Sequence, residues 1–124
     1  MGTVIRLGGV VLIALGLLAA TQLHMAPVWV SVAYLMLGAV SFGVYFFDKR
    51  AARRGDWRVT EASLHGIDLI GGIAGGLIGQ AVFRHKTRKE GFVIVTALIA
   101  AAHFVALALL TLGFWHFPEV LFFD

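Results

Sequence analysis

Cysteine is absent, proline occurs twice in 124 residues, and Asp, Glu, Lys and Arg together make up only 14% of the chain. The first absence excludes a disulfide framework, a thiolate metal site and a thiol nucleophile. The second leaves long stretches free of helix breakers, with interruptions only at Pro27 and Pro118. The shortage of charge matters most. Soluble domains are roughly 25% charged and 45–50% apolar, whereas 60% of these residues are apolar and the mean hydropathy is +0.90. A water-soluble fold is excluded, and the expected class is a small all-α integral membrane protein whose first partner is the lipid bilayer. Also missing are a nucleophile elbow, a nucleotide phosphate loop and a dinucleotide fingerprint, so cofactor and reaction are left open.

What charge exists is concentrated. Nine of the ten Lys and Arg residues lie between Lys49 and Lys89. Outside that region, residues 4–23 form an apolar run interrupted by Arg6, Thr21 and Gln22, long enough at about 1.5 Å per residue to cross a core of about 30 Å. A signal peptide is the rival, but the run is long and Leu18-Ala19-Ala20 lacks a small-x-small cleavage site, so a retained helix is expected. Residues 27–47 form a second span, opened by Pro27 and anchored by Trp29, with His24-Met25-Ala26 as a tight hairpin before it. Ser31, Tyr34, Gly38, Ser41, Tyr45 and Asp48 recur at spacings of three and four and share one stripe, which should face protein. Residues 90–115 form a further span behind a Thr87-x-x-Glu90 capping box. Its one strongly polar interior residue is His103, read as an imidazole hydrogen-bonded across the bundle. The aromatic run Phe114, Trp115 and Phe117 marks the far interface.

Residues 60–84 hold the most specific information in the chain. Thr60 is a good N-cap, with Val59 and Leu64 placed to form a hydrophobic staple. Glu61, His65, Asp68, Gly72, Gly75, Gly76 and Gly79 project to one side of a helix starting there. The flanking loops, residues 48–58 and 84–89, are both short and basic. The positive-inside rule places both in the cytoplasm, which a single crossing cannot satisfy. The expectation is therefore three transmembrane helices plus a Gly-rich re-entrant hairpin that turns at Gly71-Gly72-Ile73-Ala74-Gly75-Gly76. Four complete crossings is the alternative. In the expected form the His24 hairpin and the tail with Glu119 and Asp124 lie on the far side, and the protein is multi-pass in the bacterial inner membrane.

Asp48, Lys49, Glu61, His65, His85, Lys86, Arg88 and Lys89 then gather at the cytoplasmic interface, with Asp68 deeper. Cations at a membrane surface attract anionic headgroups, and helix starts offer N–H groups to phosphate. The first functional expectation is a binding module for an anionic or phosphate-bearing ligand, a lipid headgroup or a nucleotide-like compound. In it Lys49, Lys86, Arg88 and Lys89 supply charge, and Glu61, His65 and Asp48 orient them. The second is a structural or accessory subunit whose small-residue faces pack on partner helices or on a second copy. The third is a metal-dependent membrane enzyme using Glu61, His65, Asp68 and His85. The hexamer Arg84-His85-Lys86-Thr87-Arg88-Lys89 has no adjoining aromatic platform, so nucleic acid is not an expected partner of this chain alone.

The combination Tyr45-x-x-Asp48-Lys49, Ala51-Ala52, Trp57-Arg58, Glu61, Leu64-His65, Gly71-Gly72, Gly75 and His85-Lys86-Thr87-Arg88-Lys89 resembles the bacterial membrane family called domain of unknown function 1294, over residues 45 to about 92. Val59-Thr60-Glu61 stands where that family commonly has Ile-Pro-Glu, and the Pro many members carry in the glycine turn is missing. The resemblance implies candidate positions, Asp48, Lys49, Glu61, His65, His85, Lys86, Arg88 and Lys89, and no reaction. Some members carry a cold-shock nucleic-acid-binding domain ahead of the membrane part; no such domain lies in these residues.

Overall fold

The computed structural model describes residues 2–55, 57–83 and 89–122. Among the described residues there is no strand. The helices are α1 (Thr3–Gln22), α2 (Val28–Arg54), α3 (Glu61–Ile67), α4 (Ile73–Phe83) and α5 (Glu90–Thr111), with a π-helical turn, Asp68–Gly72, between α3 and α4. Aliphatic side chains cover the outside: Val4, Leu12, Leu15, Leu35, Met36, Leu98 and Val105 are all exposed. A soluble protein does not present such a surface; a lipid-embedded one must. Four helical stretches are long and apolar enough to cross a membrane: Thr3–Gln22, Val28–Arg54, Glu61–Phe83 and Glu90–Thr111. This is a membrane protein.

Length and apolarity would let the third stretch cross, but its contacts show that it doubles back. A straight helix of its 23 residues would separate its ends by about 34 Å. Instead Leu64 near its start and Phe83 at its end both pack around Tyr45, and Glu61 is bridged by Lys89 at the start of α5, 2.8 Å apart. Running along α2, Leu64 meets Tyr45, Asp68 meets Ser41, and Gly71 and Gly72 lie against Leu37. On the way back Gly75 meets Gly38 and Gly79 meets Tyr45. The re-entrant hairpin is thus formed, with α3 antiparallel to α2 and α4 parallel to it. From Glu61 to Gly71 the arm descends about 15 Å, half of a hydrocarbon core. Half of the third stretch's apolar window is buried, against 17–22% for the other three, so the other helices enclose it.

The reversal is built at Gly71, whose φ of 138° and ψ of −4° lie outside the range open to a side chain. Breaking a helix at half-depth frees carbonyls with no water to receive them, which protein must cover. His103 on α5 does so: its Nε2 lies 3.2 Å from the Asp68 carbonyl and 3.0 Å from the Leu69 carbonyl. Carbonyl oxygens only accept, so Nε2 carries the proton and Nδ1 accepts from the Tyr34 hydroxyl at 2.6 Å. His103 is therefore the cross-bundle imidazole expected of it, in the specific role of capping the hairpin tip. His103→Phe should cost about 1–3 kcal/mol, the price of two unsatisfied carbonyls, read as a lower thermal unfolding midpoint in detergent. Tyr34→Phe, which strands only one ring acceptor, should cost less.

The α2 stripe faces protein along its whole length. Ser31 bonds Thr21, Tyr34 bonds His103, Gly38 touches Gly75, Ser41 and Tyr45 donate to Asp68, and Asp48 accepts from Val59 N–H. Helix ends follow local chemistry. The Thr60 hydroxyl accepts from Ser63 N–H at 3.1 Å, and Val59 packs with Leu64, as cap and staple. The helix α1 ends on His24 at φ 58°, with Met25 N–H on the Ala20 carbonyl and His24 N–H on that of Thr21. In the same way α5 ends on Gly113, with Phe114 N–H on Leu109 and Gly113 N–H on Leu110, each the paired bonding of a Schellman end. Three boundaries differ from expectation, the first being that α5 stops at Thr111 and not at 115. The helix α2 continues through Asp48 to Arg54, into the expected loop, because Lys49, Arg50, Ala51, Ala52, Arg53 and Arg54 are all strong helix formers and Gly55 stops the helix only at φ 69°. The start of α5 has Lys89 at the cap position with no side-chain cap; Thr87, the expected cap, lies outside the described residues.

Ala20, Ala26 and Leu110 form the core at the end of the bundle opposite the basic loops. The chain after α5 folds over that end, where Trp29 donates from its indole N–H to the Leu121 carbonyl and stacks edge-on with Phe117. The exposed Trp57 sits beside the basic end. Indoles at both ends are the mark of two membrane interfaces.

Candidate functional site

Beneath the basic end lies a chain of buried polar side chains that draws on every part of the bundle. Arg6 of α1, only 2% exposed, donates through Nε to the Gln80 Oε1 of α4 at 3.0 Å. The Gln80 amide nitrogen donates to the Tyr45 hydroxyl of α2 at 3.1 Å and to the Thr96 hydroxyl of α5 at 3.2 Å. Tyr45 donates to Asp68 Oδ2 at 3.1 Å, and Ser41 donates to Asp68 Oδ1 at 2.6 Å. Every step points the same way, from the guanidinium through amide and phenol to the carboxylate, so each bond polarises the next. In a low-dielectric interior such a chain links the Arg6 guanidinium to the Asp68 carboxyl, which do not touch, while both protons of the Gln80 amide find acceptors. Gly76 makes room for the Asp68 carboxylate, because a Cβ there would run into both of its oxygens.

Among the described residues, the sequence-predicted positions fall into separate places. Asp48, fully buried, is used structurally: its Oδ1 accepts from Val59 N–H at 2.9 Å and its Oδ2 pairs with Arg58 at 3.4 Å. It ties the segment leading into α3 back onto α2. Glu61 and Lys89 form their ion pair across α3 and α5 with the lysine 65% exposed, a position at which such a pair contributes no more than about 1 kcal/mol. The His65 ring lies over Phe92, centroids 4.4 Å apart. These three sit where α3 meets α5. Lys49 lies elsewhere, with Arg50 and Arg53, in a cleft of about 380 Å³ between α2 and α4 whose walls are Phe46, Val82 and Phe83. His85, Lys86 and Arg88 lie outside the described residues. The metal candidates Glu61, His65 and Asp68 are not gathered: Asp68 faces Ser41 and Tyr45, Glu61 faces Lys89, and among the described residues no three His, Asp or Glu side chains could hold an ion together.

Sequence reasoning missed Arg6, Gln80 and Thr96 as partners and took Arg50 and Arg53 only as loop charge. Gln80 had a signal: with Asp68 it is one of two strongly polar residues between Ile67 and Phe83. Arg6 stands in a first turn where a positive charge needs no further reason, and a lone Thr in an apolar helix carries none.

The comparisons with known proteins fall on this region. Residues 38–92 match the family described as a protein of unknown function, DUF1294. The uncharacterised protein YsdA of Bacillus subtilis (strain 168) is 33% identical over 78 residues, which are 62% of this chain and 88% of the relative. No solved structure matches. The family match contains the second half of α2, the whole hairpin and the first turn of α5, hence Ser41, Tyr45, Asp48, Asp68 and Gln80, while Arg6, Thr96 and His103 lie beyond it. On the extent of both matches, the chain belongs to the DUF1294 family.

Proposed function

We propose that this protein is a binding module of the bacterial inner membrane for an anionic, phosphate-bearing ligand, taken up at its basic, cytoplasmic end. The observation that carries the reading is the cleft in which Lys49, Arg50 and Arg53 stand over Phe46, Val82 and Phe83. Three cations on one helical face cannot be brought together without mutual repulsion, and a bound anion removes it; each contributes about 1 kcal/mol toward an anionic group at the surface. The basic residues of both flanking loops supply the orientation under the positive-inside rule. The buried chain from Arg6 to Asp68 holds α4 in register with α2, so the two walls of the cleft keep their separation.

The test is lipid retention by the full-length protein extracted in mild detergent, followed by native mass spectrometry with dioleoyl phosphatidylglycerol and dioleoyl phosphatidylcholine as probes. The protein should retain the anionic lipid preferentially, and the triple variant Lys49→Gln, Arg50→Gln, Arg53→Gln should lose that preference. Equal retention of both lipids by the unaltered protein, together with ATP binding that the triple variant leaves unchanged or with no ATP binding, would end the proposal.

A further inference from the structure

We infer that the ligand is itself a membrane lipid, whose acyl chain lies along a groove between α1, α2 and α4 that opens end-on into the cationic cleft; this rests on the reading above and extends it. The groove has a volume of about 640 Å³ and an almost wholly apolar lining that includes Ile13, Leu17, Leu35, Ala39, Phe42 and Ile78, within the roughly 300–1,000 Å³ of ligand sites. Groove and cleft share two continuous stripes. On α2 the groove takes Leu35, Ala39 and Phe42 and the cleft takes Phe46, Arg50 and Arg53, all at spacings of three or four that keep to one face. On α4 the groove takes Ala74 and Ile78 and the cleft takes Val82, at spacings of four.

The junction between them is aromatic. Phe83 of the cleft lies 5.1 Å from Phe42 of the groove and 5.7 Å from Phe46 of the cleft, so ring contacts bridge the two. From Ala39 to Arg50 the path is about 16 Å, close to one leaflet of a core about 30 Å thick. Polarity therefore changes along the path where a lipid changes from chain to headgroup. A free nucleotide or phosphate would fill only the cleft, and a partner helix would leave the three cations unmatched.

The experiment uses the same two lipids with groove variants at exposed positions, Ala39→Trp and Ala14→Phe, beside the charge variant. Each charge removed should lower phosphatidylglycerol retention about fivefold, and each groove variant should lower it at least fivefold without changing the unfolding midpoint. Full retention in both groove variants, with loss in the charge variant, overturns the chain placement and leaves the anion reading standing. Loss in the groove variants alone removes the anion reading and keeps the groove. Displacement of the lipid by an equal concentration of ATP or of deacylated glycerophosphoglycerol identifies a soluble phosphate compound as the ligand and overturns the inference. So does conversion of a dimer to a monomer by Ala39→Trp at unchanged lipid content, which would give the groove to a second copy.

Discussion

Gly75→Ala should cost about 3 kcal/mol or more, the upper end of what added volume does in a packed interior, because its new methyl group would overlap the Gly38 carbonyl. A carbonyl held in the α2 ladder cannot swing aside as a side-chain tip can, so α4 must move off α2 and the hairpin loses its seat. The reciprocal change behaves differently. A Cβ on Gly38 would sit 3.4 Å from Gly75 N, an ordinary contact, and alanine is the better helix former by about 1 kcal/mol; Gly38→Ala should be near neutral. The pair forms one contact with two unequal sides, and thermal unfolding of both variants in one detergent reads the asymmetry. Equal effects would mean that α4 does not lie on α2 as described.

Breaking the buried polar chain at its Asp68 end is the second large effect. Asp68→Ala removes the acceptor of Ser41 and Tyr45 and leaves two buried hydroxyl donors unpaired, at an expected cost of about 1–3 kcal/mol for each. Tyr45→Phe interrupts the middle of the path and removes two hydrogen bonds, at about 1–2 kcal/mol together on the scale of hydrogen bonds between membrane helices. Arg6→Met acts at the far end. If the chain behaves as one unit, Arg6→Met combined with Asp68→Ala should destabilise by about 1–3 kcal/mol less than the two changes added together. Strict additivity in that double-mutant cycle would reduce the network to independent contacts.

Much of this architecture is legible in the sequence, for physical reasons. The α2 stripe from Ser31 to Asp48 is periodic, and periodicity reports a face directly. The hairpin is legible from charge: two basic loops that must share a compartment force the segment between them to return, and Gly71 is there to permit it. Thr60 announces the start of α3 because a hydroxyl before Glu61 has one good use.

What was not legible is the division of labour among the polar residues. Spacing puts Glu61, His65 and Asp68 on one helical face, but the face is split when the helix breaks after Asp68, and Asp68 turns to Ser41 and Tyr45 while Glu61 stays at the surface with Lys89. The partners of Gln80 come from three other helices, and no local pattern records a pairing across 74 positions. Lys49 was grouped with Glu61 because both mark the basic end; the rotation of α2 sends it with Arg50 and Arg53 into the cleft on the α4 side.

The reversal at Gly71 is the claim on which the cleft, the groove and the buried chain all depend, and the lack of native cysteine allows a direct measurement. Single cysteines replacing the exposed Trp57, Lys89 and Val120 can each be labelled in sealed inverted vesicles with a membrane-impermeant maleimide. Trp57→Cys and Lys89→Cys should label from the same side, and Val120→Cys only after the membrane is opened. Labelling of Trp57→Cys and Lys89→Cys from opposite sides would make the third stretch a full crossing and contradict the account.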